Sequence, residues 1–346
     1  MIPQNLGTTK LVKSAKEVTT GSESVRVGGM HLALILWLLM LLLAAPGMSD
    51  AQERLPGRTS FQFVGEFGEK GNGPGRFRDP AGIAIDPLGH LYVADRGNDR
   101  IQKFGADGEY SSETGSFGWE PGQFNQPEGV AVGKGGLEVY VADGRNNRIQ
   151  ILSPHFQLLA VVGGRDARGP IELGALGGVA VSADGEIYVS DLDLDKVVQI
   201  STYSRMDHSF GGYGYGSGRL RRPLGIGVGD KGRVYVCDSE NDRIAVFDRF
   251  GGNKTPLGEG SLAGPAGVCL GPRNTLVVAD TGHHRVLLFD LGSGDVIGFV
   301  GGPDPGGDPG EFNQPRDVCM GPKDVLFVLD SGNHRVQKFR ISVGRR

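Results

Sequence analysis

Between Pro80 and Phe104 the apolar positions fall into short runs separated by polar turns. Gly82–Asp86 is one run. Asp86-Pro87-Leu88-Gly89 follows, with a proline that fixes φ at the second turn position and a glycine free to take positive φ. His90–Asp95 is a second run, rich in strand formers. Arg96-Gly97-Asn98-Asp99 turns again, and Arg100–Phe104 carries Ile101, Gln102, Lys103 and Phe104. The spacing predicts three antiparallel strands joined by two tight turns.

The pattern returns five more times. The aspartate closing the second strand recurs as Asp95, Asp143, Asp191, Asp238, Asp280 and Asp330. Five positions later a basic residue recurs as Arg100, Arg148, Lys196, Arg243, Arg285 and Arg335. The opening proline is Pro80, Pro127, Pro223, Pro265 and Pro315, with Leu176 in the third copy. Strand-rich repeats with a period of about 40–50 residues mean a propeller or a solenoid. A fourth strand per unit fits a propeller blade. It is supplied by segments such as Val161–Gly164, Ser209–Gly212 and Phe299–Gly302.

Pro-x-Gly-(Val/Ile)-Ala, followed by Tyr-Val-Ala-Asp-x-x-Asn-x-Arg-Ile-Gln, resembles the NHL repeat. The resemblance covers about residues 61–340 and implies an all-β fold: a six-bladed β-propeller of four-stranded antiparallel blades. It implies little about function, because such propellers serve as binding, sensor and enzyme domains. The last copy ends near Ser342 without a fourth strand of its own. Residues 61–67 are therefore expected to complete blade six and leave the ring without an open edge.

Composition refines this picture at the amino end. Leu32–Ala45 is apolar and uncharged, follows Lys10, Lys13, Lys16 and Arg26, and precedes Ser49-Asp50-Ala51. That order reads as an export signal cleaved after Ala51. The alternative is an uncleaved anchor over residues 27–49, since a span wants roughly 20 residues. Met30 offers a second start. Either way the propeller, residues 52–346, is expected outside the cytoplasm, periplasmic or secreted or on an anchor. Removing residues 1–51 takes away four basic and three acidic residues and leaves a net charge of −5. An acidic domain argues against nucleic acid, whose binding depends on phosphate neutralisation. Cys237, Cys269 and Cys319 fall where other copies have alanine or glycine, and read as small strand fillers.

Alternating strand direction places the long variable loops and the Asp-x-x-Asn-x-Arg turns on one face, where binding is expected. The repeated Asp and Arg residues read as architecture: the carboxylate accepting turn amides in an Asx turn, the Arg lacing a blade to its neighbour. The expected partner-binding residues are Tyr213, Tyr215, Arg219, Arg221 and Arg222 in one loop, where aromatics and guanidiniums suit anionic or carbohydrate partners. Trp119 in another loop is a candidate anchor. At the channel mouth Glu128, Arg316 and Asp317 are candidates for ligand contact, and Glu128 and Arg316 for pairing across the ring.

The reading is a non-catalytic scaffold for a protein, peptide or envelope glycan, with no catalytic residue, metal ligand or resident cofactor assigned. The alternatives are an extracytoplasmic sensor and a divalent-metal propeller enzyme of lyase or lactonase type. Asp191, Asp193 and Asp195 alternate as in a calcium loop, but the loop glycine and distal glutamate of an EF-hand are missing. His284 and His334 are candidates for zinc, but their turn positions on adjacent blades are too far apart to converge on one ion. The residue after each repeat proline (Ala81, Glu128, Gly177, Leu224, Ala266, Arg316) is nowhere a histidine, unlike the zinc-holding amidating lyase.

Overall fold

The structure is a computed structural model, described for residues 59–164, 171–201 and 206–344. The leader and the apolar run at 32–45 lie outside the described residues. Among those residues no helix is long and apolar enough to cross a membrane.

The chain opens with strand β1 (Ser60–Phe67). Blade 1 is β2 (Gly82–Ile85), β3 (Leu91–Asp95), β4 (Arg100–Phe104) and β5 (Tyr110–Thr114). Blade 2 is β6 (Pro127–Val132), β7 (Val139–Asp143), β8 (Arg148–Leu152) and β9 (Leu158–Gly163). Blade 3 is β10 (Leu176–Val181), β11 (Ile187–Asp191), β12 (Lys196–Ile200) and β13 (Met206–Gly211). Blade 4 is β14 (Pro223–Val228), β15 (Val234–Asp238), β16 (Arg243–Phe247) and β17 (Asn253–Leu257). Blade 5 is β18 (Gly267–Gly271), β19 (Thr275–Asp280), β20 (Arg285–Asp290) and β21 (Val296–Gly301). Blade 6 is β22 (Pro315–Gly321), β23 (Val325–Asp330) and β24 (Arg335–Ser342), completed by β1 in the order β1-β24-β23-β22. Every neighbouring pair is antiparallel, and β1 runs from Ser60 opposite Ser342 to Phe67 opposite Val336.

The apolar alternation of the middle strands fills the spaces between blades. Ala84, Tyr92, Ala94 and Ile101 of blade 1 pack on Val130, Val139, Val141 and Leu152 of blade 2. The same packing recurs around the ring. Each incoming loop ends in a buried apolar plug: Phe77, Phe124, Leu173, Leu220, Leu262 and Phe312. Burying such a side chain is worth about 1.5–3 kcal/mol, so each plug fastens its loop to the blade core. The second residue after the repeat-proline position is glycine in five blades, because the inner strands touch. A Cβ on Gly178 would lie 2.7 Å from the Leu224 carbonyl oxygen, and one on Gly225 2.5 Å from that of Ala266. In the sixth blade the position is Asp317.

The seam between the chain ends rests on β1 lying against β24, with Phe63 edge-on to Phe339, their centroids 5.8 Å apart. Deleting residues 60–67 is expected to give an unfolded or self-associating species in light scattering and calorimetry. Phe339→Ala is expected to cost about 3–5 kcal/mol. A monomeric deletion mutant with unchanged melting would contradict the closure.

Candidate functional site

Six turns and six incoming loops form one face, and the repeat motif holds them together. Asp95 is fully buried at the end of β3. Its Oδ1 accepts the Arg78 backbone N–H of the incoming loop at 2.8 Å, and its Oδ2 accepts from Asn98, Arg100 and Gln102. Arg100 then donates to the carbonyls of Asn72, Gly73 and Arg76 in that loop. Asp143, Asp238, Asp280 and Asp330 repeat the arrangement on Asn125, Arg221, Ala263 and Asn313, with Arg148, Arg243, Arg285 and Arg335 beside them. The carboxylate therefore grips a loop amide 17 residues upstream; Asp191 does so through Gly174 and, alone of the six among the described residues, also takes the expected Asx-type contacts, from Asp193 and Leu194. The arginines lace the connection arriving from the previous blade, and Arg100 and Arg335 also pair with Glu113 and Glu66 on the adjacent outer strand. Lys196 forms no ion pair with Asp191 among the described residues. Burial pushes Asp95, Asp143 and Asp238 above the ordinary carboxylate pKa, opposed by the amides, asparagines and arginines that they bind.

The residue just before each arginine adopts a left-handed conformation, φ 52° at Asp99 and 56° at His334, a region tolerated by Asn, Asp and His. It ties the blade to the next one. Asp99 accepts from the Gln126 amide, Asp195 from Arg222 and Asp242 from Gly264. His284 Nδ1 accepts from Gln314 at 3.0 Å, and His334 Nδ1 from Asp79 at 3.4 Å. These histidines are inter-blade ties, and an accepting Nδ1 requires the neutral ring. Burial lowers the His334 pKa, in keeping with that role. Asp193 and Asp195 are likewise engaged by the amides of Ala175 and Arg222. Among the described residues no three His, Cys, Asp or Glu side chains converge as a metal site requires.

The candidate contact residues divide into two groups. In the blade-2 and blade-4 loops the sequence Phe117-Gly118-Trp119 aligns with Tyr213-Gly214-Tyr215. In both, the glycine carbonyl accepts from the turn asparagine, Asn146 or Asn241. All four rings are exposed, Trp119 at 69% and Tyr215 at 68%. Arg221 lies 4.6 Å from the Tyr215 ring centroid and 5.8 Å from that of Tyr213, and pairs with Glu240 at 2.9 Å. Arg219 and Arg222 are exposed. Phe117 was missed in the sequence; the signal was its equivalence to Tyr213, since both bridge to the apolar plug of their loop.

The second group surrounds the channel mouth. Arg316 Nη2 donates to Glu128 Oε2 at 3.1 Å across the ring, Arg96 Nη1 donates to Glu128 Oε1 at 2.8 Å, and Arg96 also binds Asp79. Arg96 was not singled out, being one of six variable turn residues; in blades 4–6 the place holds Ser239, Thr281 and Ser331, whose hydroxyls bind the next blade's proline carbonyl. Asp317 lies deeper, accepting from the amides of Ile83 at 2.8 Å and Val318 at 2.9 Å. It lines the narrow channel, and burial pushes its pKa up to about 7. Cys237, Cys269 and Cys319 are free thiols, and burial raises the pKa of each.

With its geometry in view, the class of protein is a six-bladed β-propeller whose loop face is latched by a repeated Asp-Asn-Arg turn. More particularly, the chain carries five NHL repeats, at residues 77–104, 124–152, 220–247, 262–289 and 312–339. The blade outside these matches is the third, where Lys196 replaces the arginine. NHL repeat-containing protein 3 of Homo sapiens is 45% identical over 47 residues, 14% of this chain and 14% of that protein. Protein brain tumor of Drosophila melanogaster is 27% identical over 147 residues, 42% of this chain and 14% of that protein. The match thus spans a small part of either relative's length. Among solved structures, a catalytically inactive virginiamycin B lyase from Staphylococcus aureus with quinupristin superposes with TM-score 0.56 and 16% identity, over 81% of this chain and 85% of that one. At that identity the likeness concerns the fold.

Two outcomes follow. Arg100→Met leaves Asp95 buried without its cation and is expected to cost about 3–5 kcal/mol in chemical denaturation. The Asp317 carboxyl binds its proton more tightly folded than unfolded. Stability is therefore expected to fall as pH rises from about 4 to 7, by at most about 1.4 kcal/mol per pH unit, and to level off above. Asp317→Asn is expected to flatten that part of the profile, measured by urea titrations at pH 4.5–8; an unchanged slope would assign it elsewhere.

Proposed function

We propose that the protein is a non-catalytic binding scaffold that presents its loop face to a protein or peptide partner. The observation that carries the reading is the placement of the two aromatic-Gly-aromatic loops. Their rings are exposed while their backbones are fastened. Arg148 donates to the carbonyls of Trp119 and Glu120, and Arg243 to that of Gly216. Exposed aromatics on an immobilised backbone lose little entropy on binding, and tyrosine, tryptophan and arginine are the residue types that dominate interfaces. Tyr213, Tyr215 and Arg221 form one stacked contact patch, with Arg219 and Arg222 as its basic flank. Phe117 and Trp119 form the second patch. A glycan is a second occupant for the same rings. The Leu32–Ala45 segment is proposed to direct export or to anchor the chain, which places the propeller outside the cytoplasm.

The test is selection of peptides from a random display library on the full chain. Tyr213→Ala combined with Arg221→Ala is expected to weaken captured peptides at least about tenfold while shifting the melting temperature little. Peptides that bind the double variant as well as the unaltered protein would overturn the loop-face assignment.

A further inference from the structure

The channel mouth holds a guanidinium with most of its donors unspent. Among the described residues Arg316 donates one hydrogen bond, to Glu128 at 3.1 Å, and its Nη1 lies 3.8 Å from Asp79 Oδ1. The latch arginines differ: Arg148 alone donates to Asp143 and three backbone carbonyls. An arginine offers several N–H donors in a planar fork, so Arg316 has a free edge toward the channel that its side chain lines.

The surrounding charge favours an anion. Arg96, Arg222 and Arg316 stand against Asp79 and Glu128. Arg222 acts on Arg316 through space and has no ion pair among the described residues. Asp317 lies below; burial raises its pKa to about 7, so near neutrality it is partly protonated and offsets only part of this excess. The rest of the lining is small or apolar and includes Ala81, Gly177, Leu224 and Ala266. The cavity they enclose is about 30 Å³, enough for one or two waters or one small polar head, not for a sugar ring.

A free donor edge lining a cavity of this size fits a small planar anionic head. A carboxylate meets a guanidinium through parallel N–H···O bonds, which a spherical ion cannot do. We infer that the channel mouth is a carboxylate-binding site, with Arg316 holding the carboxylate inside the cavity and the rest of the ligand lying outside it. A peptide C terminus and a free small acid share this chemistry. The inference adds to the loop-face reading and does not rest on the aromatic loops.

The test titrates the full chain with N-acetyl-leucine and with N-acetyl-leucinamide in a calorimeter at low salt. The acid is expected to bind and the amide to bind at least about tenfold more weakly; Arg316→Gln is expected to lose the acid by a similar factor. A leucine-terminated octapeptide that binds about tenfold tighter than N-acetyl-leucine, and not when amidated, would identify the peptide C terminus as the source; equal affinity would identify the small acid. No acid binding at millimolar concentration, equal binding of acid and amide, or full binding by Arg316→Gln would overturn the site. Should the variant fail to fold, the acid–amide comparison on the unaltered chain decides alone. Failure here leaves the loop-face reading standing, since that is read by Tyr213 and Arg221.

Discussion

The loop face depends on one interaction, the buried aspartate at the end of each third-from-edge strand. Asp95 and its equivalents reach back to a loop amide, and the neighbouring arginine takes up the loop carbonyls. A buried carboxylate is costly unless fully bonded, so the loop amide, asparagine and arginine must stay in place together. The left-handed residue before the basic residue ties the following loop to its own blade through Asp99, Asp195, Asp242, His284 and His334. Strand, turn and two successive loops thus become one hydrogen-bonded unit, repeated around the ring. This lets aromatic rings stand in solvent without the loops that bear them being loose.

The same logic separates structural positions from those free to vary. Positions 95, 98 and 100 and their counterparts are spent on the latch. The residues flanking each latched glycine point outward and differ between blades, as do the residues on either side of the repeat proline. Aromatic rings gather at the first set in blades 2 and 4. Charge gathers at the second set in blades 1, 2 and 6, where Asp79, Glu128 and Arg316 meet Arg96. The face is therefore a uniform frame that carries two local chemistries, one aromatic and one ionic.

Much of this was legible in the sequence because the repeat is short-range and periodic. The strands of Pro80–Phe104, the six copies, the four-stranded blades and the pairing of residues 61–67 with the last strand all follow from alternation and turn residues. The pairing of Glu128 with Arg316 was also within reach, since equivalent positions share one ring. The partners of the repeated aspartates were not. A hydrogen bond to an amide 17 residues upstream leaves no mark on side-chain pattern, whereas an Asx turn does. The role of His284 and His334 was hidden for the same reason: the group that they accept from is a backbone N–H on the next blade. Arg96 looked like turn filler until the fold brought it beside Glu128.

Hydrogen exchange on the free protein tests the account most directly. The amides of Arg78, Asn125, Arg221, Ala263 and Asn313 lie in loops yet are bound by buried aspartates. They are expected to be protected to the level of the middle strands and to open only with global unfolding. Exchange at the rate of exposed loop amides would contradict a latched, preorganised face.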